Sequence, residues 1–382
     1  MAIMRPMKLA GSELMFGKGC LEHVKTIKGT RAMIVMSGGS LARNGILDKV
    51  RGYLKEAGLV SEVFQGVEPD PSFATVMQGA KAMLEFEPNV IVALGGGSAM
   101  DAAKGMWIYY EHPELTSLAD IMAPNPFPPL RTKARMVCIP STSGTASEVS
   151  RSIVITDEHK VKHGIGNMEM MPDIAICDPE VTVSMPKKIT AETGMDALTH
   201  AVEAYVSRRA NYVSDTLAAQ AVRDVFEYLP KAYEEGENLD YREKMQNASM
   251  VAGLAFTNVS LGIVHSIAHT LGSYFGLAHG LADAVVLPYI ISYNSADPEA
   301  ARRYGELAVL AGKTDFAAAV CELNQRLGIP ASIAELVPDQ AAYEAVLVPM
   351  AEMALADGCT KTNPIIPDAS GFAELFQRIY KG

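Results

Sequence analysis

The sequence predicts an α/β chain in two parts: a parallel sheet with flanking helices over residues 1–184, then an all-helical part over residues 185–382. Three observations predict it. Short apolar runs alternate with helical periodicity in the first half, the pattern of strands joined by crossover helices. Turns rich in glycine and serine follow three of those runs, where a strand gives way to a helix. Near Asp178-Pro179 the alternation stops, and the period is helical almost to the end.

The elements follow in order. Residues 32–36 read as a strand ending in Ser37-Gly38-Gly39-Ser40, and 46–57 as a helix. Residues 61–67 read as a strand and 73–86 as a helix. Residues 89–94 form a buried strand that ends in Gly95-Gly96-Gly97-Ser98, with a helix over 99–110. Further strands fall at 136–139 and 174–177, the first running into Pro140-Ser141-Thr142-Ser143-Gly144-Thr145. Helical segments then occupy 191–207, 213–235, 241–275, 280–294 and 298–311.

Bulk properties narrow the class. A length of 382 residues gives room for two ordinary domains, and 49% apolar against 20% charged residues gives them packed cores. A net charge of −11 without a basic stripe argues against a nucleic-acid surface. Five scattered cysteines, odd in number, suit a reducing compartment better than a disulfide framework. The N-terminus lacks a charged segment followed by a long apolar run, so no signal peptide is expected. No uninterrupted apolar run reaches the roughly 18 residues of a membrane span. The expected location is the cytoplasm.

The glycine turns suit a phosphate. A helix that starts at Gly95-Gly96-Gly97-Ser98 lets the backbone approach closely and presents unpaired N–H groups at the positive end of its dipole. The spaced glycines of the six-residue dinucleotide fingerprint are absent, and a tight turn without a ligand fits the same residues. The hydroxyl-rich loop around Thr142 and Thr145 follows another strand, and two such loops at strand C-termini are where a doubly wound sheet binds a nucleotide. Gly38, Gly39 and Ser40 bear on the choice of nucleotide. No acidic residue sits in that turn to hold a ribose 2′-hydroxyl, and Arg43 lies nearby, which tolerates NADP without excluding NAD.

The second half carries a possible metal site. Asp196 and His200 stand four residues apart, as do His265 and His269, so each pair shares a helix face. His279 follows. One carboxylate with several imidazoles suits a divalent first-row metal such as Fe(II) or Zn(II). A lone histidine on an apolar helix is usually a core residue; two such pairs raise the odds of ligation. His265-Ser-Ile-Ala-His269 has the spacing of zinc peptidases, but Ser266 stands where their general-base glutamate would be. Glu203 is assigned to solvent or to a neighbouring side chain. Spacing alone does not sort which of His265, His269 and His279 bind metal.

The motifs at Gly95–Ser98 with Asp101 and Lys104, at 140–148, at 194–205, at His265 and His269, at His279-Gly280 and at 359–364 resemble the iron-containing (group III) alcohol dehydrogenases. The resemblance runs from about residue 12 to the C-terminus. The stretch 101–116, with Tyr109-Tyr110-Glu111-His112-Pro113-Glu114, is most similar to the alcohol-dehydrogenase half of bifunctional aldehyde–alcohol enzymes. The resemblance implies a dinucleotide-binding α/β domain, an all-helical metal domain and an active site between them. It implies Fe(II), with Zn(II) as the other candidate, on Asp196, His200, His265 and His279, and His269 as a proton relay. It implies a pyrophosphate on Gly95, Gly96, Gly97 and Ser98, nucleotide contacts from Thr142 and Thr145, and the nicotinamide ribose on Lys162. Asp101 would sit beside the cofactor as a further candidate catalytic residue. Many NAD-preferring members carry Asp in the first turn, whereas NADP-using relatives often show Gly-Gly-Gly-Ser; this chain has Ser-Gly-Gly-Ser.

The implied reaction is hydride transfer between NAD or NADP and a small primary alcohol or diol, or its aldehyde, by a homodimer or higher homo-oligomer. Phe256, Leu261, Ile263 and Cys359 suggest a narrow apolar pocket. Arg151, Ser152 and His163 offer polar groups for a short anionic or hydroxylated aldehyde, although a structural role suits them better. Two other classes remain: a lyase like dehydroquinate synthase, which shares the architecture and binds NAD, and a non-catalytic nucleotide-binding protein.

Overall fold

The computed structural model describes residues 6–382. Residues 1–5, which bear on the expectation of no signal peptide and begin the part drawn as 1–184, lie outside the described residues. The chain divides into two compact units, Met1–Met185 and Pro186–Gly382.

The first unit contains β1 (Glu13–Phe16), β2 (Arg31–Met36), α1 (Ser40–Arg43), α2 (Ile46–Glu56), β3 (Val60–Gln65), α3 (Phe73–Phe86), β4 (Val90–Gly95), α4 (Gly97–Glu111), β5 (Arg135–Pro140), β6 (Ser152–Thr156), β7 (Lys162–Gly166) and β8 (Ile174–Cys177). Six strands form one parallel sheet in the order β1-β8-β5-β4-β2-β3. Its strands read as unbroken apolar runs because both faces are covered. Ala32, Ile34, Val90, Val92, Leu94 and Val137 face a core that includes Val50 and Leu54 of α2. Their neighbours Met33, Val35, Ile91, Ala93, Met136 and Cys138 face the opposite core, with Val76 and Ala80 of α3 and Met106 and Trp107 of α4. The strand order reverses between β2 and β4, so their C-terminal ends open the crevice where doubly wound sheets take a ligand.

Two features had no clear trace in the periodicity. β1 is a four-residue edge strand paired with β8, too short and too exposed to show alternation. β6 and β7 form an antiparallel hairpin of mixed polarity, tied to the start of α3 by Thr156 N–H donating to Pro71 O at 2.9 Å.

The second unit is helical: α5 (Lys187–Val206), α6 (Tyr212–Glu234), α7 (Leu239–Val259), α8 (Ile263–Phe275), α9 (His279–Asn294), α10 (Pro298–Leu310), α11 (Phe316–Arg326), α12 (Gln340–Ala345), α13 (Leu347–Ala356) and α14 (Ala369–Lys381). The segment expected as one helix over 241–275 is two, α7 and α8, meeting at 101°. The break lies at Ser260-Leu261-Gly262, where Ser260 takes a left-handed φ of 65°. Among the described residues no single helix is long and apolar enough to cross a membrane.

Candidate functional site

In the first unit the three polar turns stand at the ends of neighbouring strands. Gly95 pairs in register with Pro140, and Ser141 N–H donates to Gly95 O at 2.8 Å, so the turns after β4 and β5 lie side by side. α4 starts with Gly96 as its N-cap and no side chain capping it, which leaves its first N–H groups for a ligand. Thr145 packs against Gly97 so closely that a Cβ there would stand 2.7 Å from its methyl, and Thr142 lies 3.2 Å from the same position on Gly96. Thr142, Thr145 and the glycines are therefore one surface. Gly38, Gly39 and Ser40 close β2 and open α1. The Arg43 guanidinium folds back over Gly39, with Nη1 3.0 Å from where a Cβ would be.

Asp101 and Lys104 brace this surface from behind. Asp101 Oδ1 accepts from Ser147 Oγ at 2.8 Å and Oδ2 from Val154 N–H at 2.9 Å. The fully buried Lys104 ammonium donates to Ser147 O and Oγ, Ser150 O and Ser152 O, at 2.8–3.1 Å. Both Asp101 oxygens are thus committed to the scaffold, which suits a brace and not an acid or base. Lys162 sits on β7 with its ammonium 2.8 Å from Asp70 Oδ2. His163 Nε2 lies 2.8 Å from Asp157 Oδ2 within the hairpin, which gives it the structural role.

In the second unit, residues from three helices converge. Asp196 and His200 lie one turn apart on α5; His265 and His269 lie on α8; His279 begins α9. α9 meets α5 closely because residue 280 is glycine: a Cβ there would stand 2.2 Å from Glu192 O. Asp196 Oδ1 lies 3.5 Å from His200 Nε2, 3.8 Å from His265 Nε2 and 3.8 Å from His279 Nε2. Phe256 stacks on the far face of the His200 ring, with centroids 4.4 Å apart. The site opens on one side only: the side chain of His279 is 32% exposed, those of Asp196, His200 and His265 at most 6%.

Two more acids adjoin the site: Glu203, expected in solvent or paired with a neighbouring side chain, is paired, and Asp283 was not foreseen. Glu203 is buried, not solvated: Oε2 meets His265 Nδ1 at 2.6 Å and Oε1 accepts from Val264 N–H at 2.7 Å. This contact fixes His265 with its proton on Nδ1 and its lone pair on Nε2. Asp283, one turn after His279, is wholly buried, with Oδ2 3.2 Å from His279 Nε2 and 4.0 Å from His265 Nε2. The signal for Asp283 was available: His279 and Asp283 repeat the four-residue spacing of the other two pairs.

This donor set fits a divalent metal. Asp196 Oδ1, His265 Nε2 and both Asp283 oxygens are buried without an N–H or hydroxyl donor, and the two carboxyls meet each other. Buried acceptors gathered in this way are costly unless a cation sits among them. Burial pushes the His265 pKa far down, so the imidazole is neutral, as a ligand must be. Burial raises both aspartates, and the charges of Asp196 and Glu203 push Asp283 further still. Burial also takes Glu203 up to about 8, against the N–H groups of Gly262, Val264 and His265 that favour its charge.

His269 stands apart from that cluster. Its ring stacks on His279 at 5.2 Å, on the open side, and its Nδ1 lies 2.8 Å from Asp357 Oδ2. Burial opposes the charge of Asp357, but His269 and the Cys359 N–H outweigh it and hold the carboxyl well below the usual range. Burial, then Asp357, keeps the nearby Cys359 thiol protonated.

Comparison with known proteins shows the family of the chain. Residues 11–179 match the family described as iron-containing alcohol dehydrogenase, and residues 190–380 match the C-terminal part of the Fe-containing alcohol dehydrogenase family. The chain is 44% identical over 380 residues to the NADPH-dependent butanol dehydrogenase of Clostridium saccharobutylicum, covering 97% of both proteins. It is 41% identical to the bifunctional aldehyde-alcohol dehydrogenase AdhE of Escherichia coli, covering 95% of this chain but 44% of that longer protein. The iron-containing alcohol dehydrogenase of Thermococcus thioreducens superposes with a TM-score of 0.91 at 33% identity, over 99% of this chain and 100% of that one. The two family matches span most of the sequence, and the chain is an oxidoreductase that belongs to the iron-containing alcohol dehydrogenase family.

Proposed function

We propose that the protein interconverts a small primary alcohol or diol and its aldehyde, using a divalent metal and NAD(P). In this reading residues 1–184 form the dinucleotide-binding domain and residues 185–382 the metal-binding and catalytic domain. The observation that carries it is the convergence of Asp196, His200, His265 and His279 on buried acceptor atoms that lack donors. These four would hold the metal, Fe(II) by family or Zn(II). A divalent metal there supplies Lewis acidity for an alcohol or carbonyl oxygen, and the nicotinamide supplies or accepts the hydride.

The protein's own groups do the rest. Glu203 orients His265 through Nδ1. His200 is held flat by Phe256, and Phe256 with Leu261 and Ile263 keeps the surroundings apolar. Asp357 fixes the His269 ring through Nδ1, which leaves Nε2 as the atom that passes a proton to or from solvent. Gly95, Gly96, Gly97 and Ser98 bind the pyrophosphate at the start of α4, with Thr142 and Thr145 beside them. Lys162, steadied by Asp70, reaches the nicotinamide ribose, and Asp101 positions the loop at Ser147 that lines the nucleotide turns.

NADP(H) is the preferred nucleotide. Support comes from the acid-free turn Ser37-Gly38-Gly39-Ser40, from Arg43 folded over Gly39, and from the NADPH-dependent relative. The apolar lining and the butanol-specific name of that relative support an unbranched primary alcohol as substrate. The enzyme works in the cytoplasm as a homo-oligomer.

The test is aldehyde reduction with NADH and NADPH in parallel, over short alcohols, diols and acid-bearing aldehydes, after chelation and anaerobic return of Fe(II) or Zn(II). Metal-dependent oxidation of NADPH is expected, and His279→Ala should lose metal and activity together. A His279→Ala protein with full metal and full turnover would remove the basis of the assignment. A lyase that recycles its nicotinamide would show no net absorbance change.

A further inference from the structure

Asp283 lies outside the four-residue ligand set proposed above, yet it faces the same point. It follows His279 by one turn of α9, and its side chain is wholly buried. One ligand atom from each of Asp196, His265, His279 and Asp283 falls in a group whose members all lie within 4.8 Å of one another; His200 is outside that group and joins it through Asp196 Oδ1, 3.5 Å from its Nε2. We propose that Asp283 is itself a ligand of the metal, so that the centre holds two carboxylates and three imidazoles. This inference rests on the metal-holding reading above and adds a ligand to it.

The ordinary roles of a buried aspartate do not account for Asp283. It lies at the fifth residue of α9, past the position of a helix cap. Neither oxygen meets an N–H or hydroxyl donor; its side-chain partner is another acid, the Asp196 carboxyl. It cannot be an outer-sphere acceptor for His279 either, because the atom it approaches, at 3.2 Å, is Nε2, the same atom that faces Asp196. A cation relieves all three atoms at once, whereas a proton shared between Asp196 and Asp283 would leave the nitrogen lone pairs of His265 and His279 without a partner acid. The separations agree: bonds of about 2.0–2.2 Å place neighbouring ligand atoms roughly 3.0–3.5 Å apart, and opposite ones about 4.2 Å. The distances from Asp283 Oδ2 to the two imidazole nitrogens, 3.2 and 4.0 Å, fall within that span.

The second carboxylate has chemical consequences. Two carboxylates neutralise a divalent ion, where one leaves a net positive charge. Five protein donors favour five- or six-fold coordination over the tetrahedral arrangement that Zn(II) prefers, with one position open in an octahedral centre. A larger share of oxygen favours Fe(II) or Mn(II) relative to Zn(II).

The experiment compares the whole wild-type protein with Asp283→Asn, which keeps the shape, and with Asp283→Ala. Affinities for Fe(II), Mn(II) and Zn(II) are read by chelator competition under anaerobic conditions, and the geometry by the visible absorption of the Co(II) form. Asp283→Asn should weaken Fe(II) and Mn(II) binding by about tenfold or more. Zn(II) binding should fall less, and the Co(II) bands should gain intensity as coordination number drops. The metal-free variant should melt no lower than metal-free wild type, because a buried carboxyl without an N–H or hydroxyl donor has gone. Unchanged Fe(II) affinity and Co(II) spectrum in both variants would overturn the proposal. So would an equal loss of all three metals with a lower metal-free melting point, the mark of a structural residue. If wild type itself holds none of these metals, the underlying assignment of the metal site fails instead.

Discussion

Replacing Gly262 by alanine tests how the proposed metal site is supported, although residue 262 is not among its proposed ligands. Its backbone, at φ −138° and ψ −158°, is open to any residue, so the requirement for glycine is one of space. A Cβ there would stand 2.6 Å from Asn363 Oδ1 and 2.8 Å from Glu203 Oε1. Carbon and oxygen normally approach to about 3.3–3.6 Å, so both oxygens must retreat, each by roughly 0.5–1 Å. Neither retreats easily. Glu203 Oε1 accepts from Val264 N–H at 2.7 Å, and Asn363 Oδ1 accepts from Ile263 N–H and Asn294 Nδ2, both at 3.2 Å. Overpacking costs about 1–3 kcal/mol and a lost buried hydrogen bond about 1–3 kcal/mol more, for a total of roughly 2–6 kcal/mol. For a unit of this size that is a fall in Tm of about 4–24 °C. If Glu203 gives way, His265 loses its orientation, and metal affinity should drop about 10–100-fold. Thermal melts of the metal-free protein and chelator competition measure the two effects separately. A Gly262→Ala protein that melts and binds metal as wild type does would refute the account of Glu203.

Three further outcomes are expected. Gly97→Ala drives a methyl into Thr145 and should raise KM for the nucleotide about tenfold with a smaller effect on kcat; adding Thr145→Ala should restore much of it, and no rescue would count against the contact. Arg43→Ala should raise KM for NADPH about 5–10-fold and leave NADH nearly unchanged, since a guanidinium favours a 2′-phosphate; equal effects on both would argue against that role. Glu111 accepts from Trp107 Nε1, Arg131 N–H, and Thr132 N–H and Oγ1 at 2.8–2.9 Å; burial opposes its charge, but the Thr132 contacts and their neighbours prevail and lower its pKa. Its folded pKa lies below the unfolded value of about 4.3, so its contribution is complete above that pH and is lost as pH falls through the folded pKa. Melting curves from about pH 3 to 5 should therefore be flatter for Glu111→Gln than for wild type, and parallel curves would contradict the sign.

What could be read in advance depended on periodicity. The strands at β2, β4 and β5 are buried on both faces and uniformly apolar, so their runs and the turns that follow were visible. β1 and the β6–β7 hairpin mix polar and apolar residues over four or five positions, too few for a pattern. The break between α7 and α8 was invisible because it carries no proline and the helical period runs on through it. Ser260 and Gly262 make it, and what requires the glycine is Glu203 and Asn363, both distant in sequence. The same reason hid Asp357 behind His269. Spacing within a helix is local and could be read, whereas partnership between helices is a property of packing.

If the proposed metal occupies it, the cluster of buried acceptors on α5, α8 and α9 would also tie the lifetime of the protein to the metal economy of its host. Those helices hold carboxylates and lone pairs together that repel one another until an ion arrives. Metal binding then contributes to folding by mass action: about 2.7 kcal/mol when free metal is a hundred times Kd, and about 0.4 kcal/mol when it equals Kd. The difference changes the unfolded fraction roughly fiftyfold, enough to move a protein between persistence and proteolysis. Starving a culture of iron should therefore lower the amount of this enzyme faster than its transcript, and protease half-lives measured with and without chelator would show the same ratio in vitro.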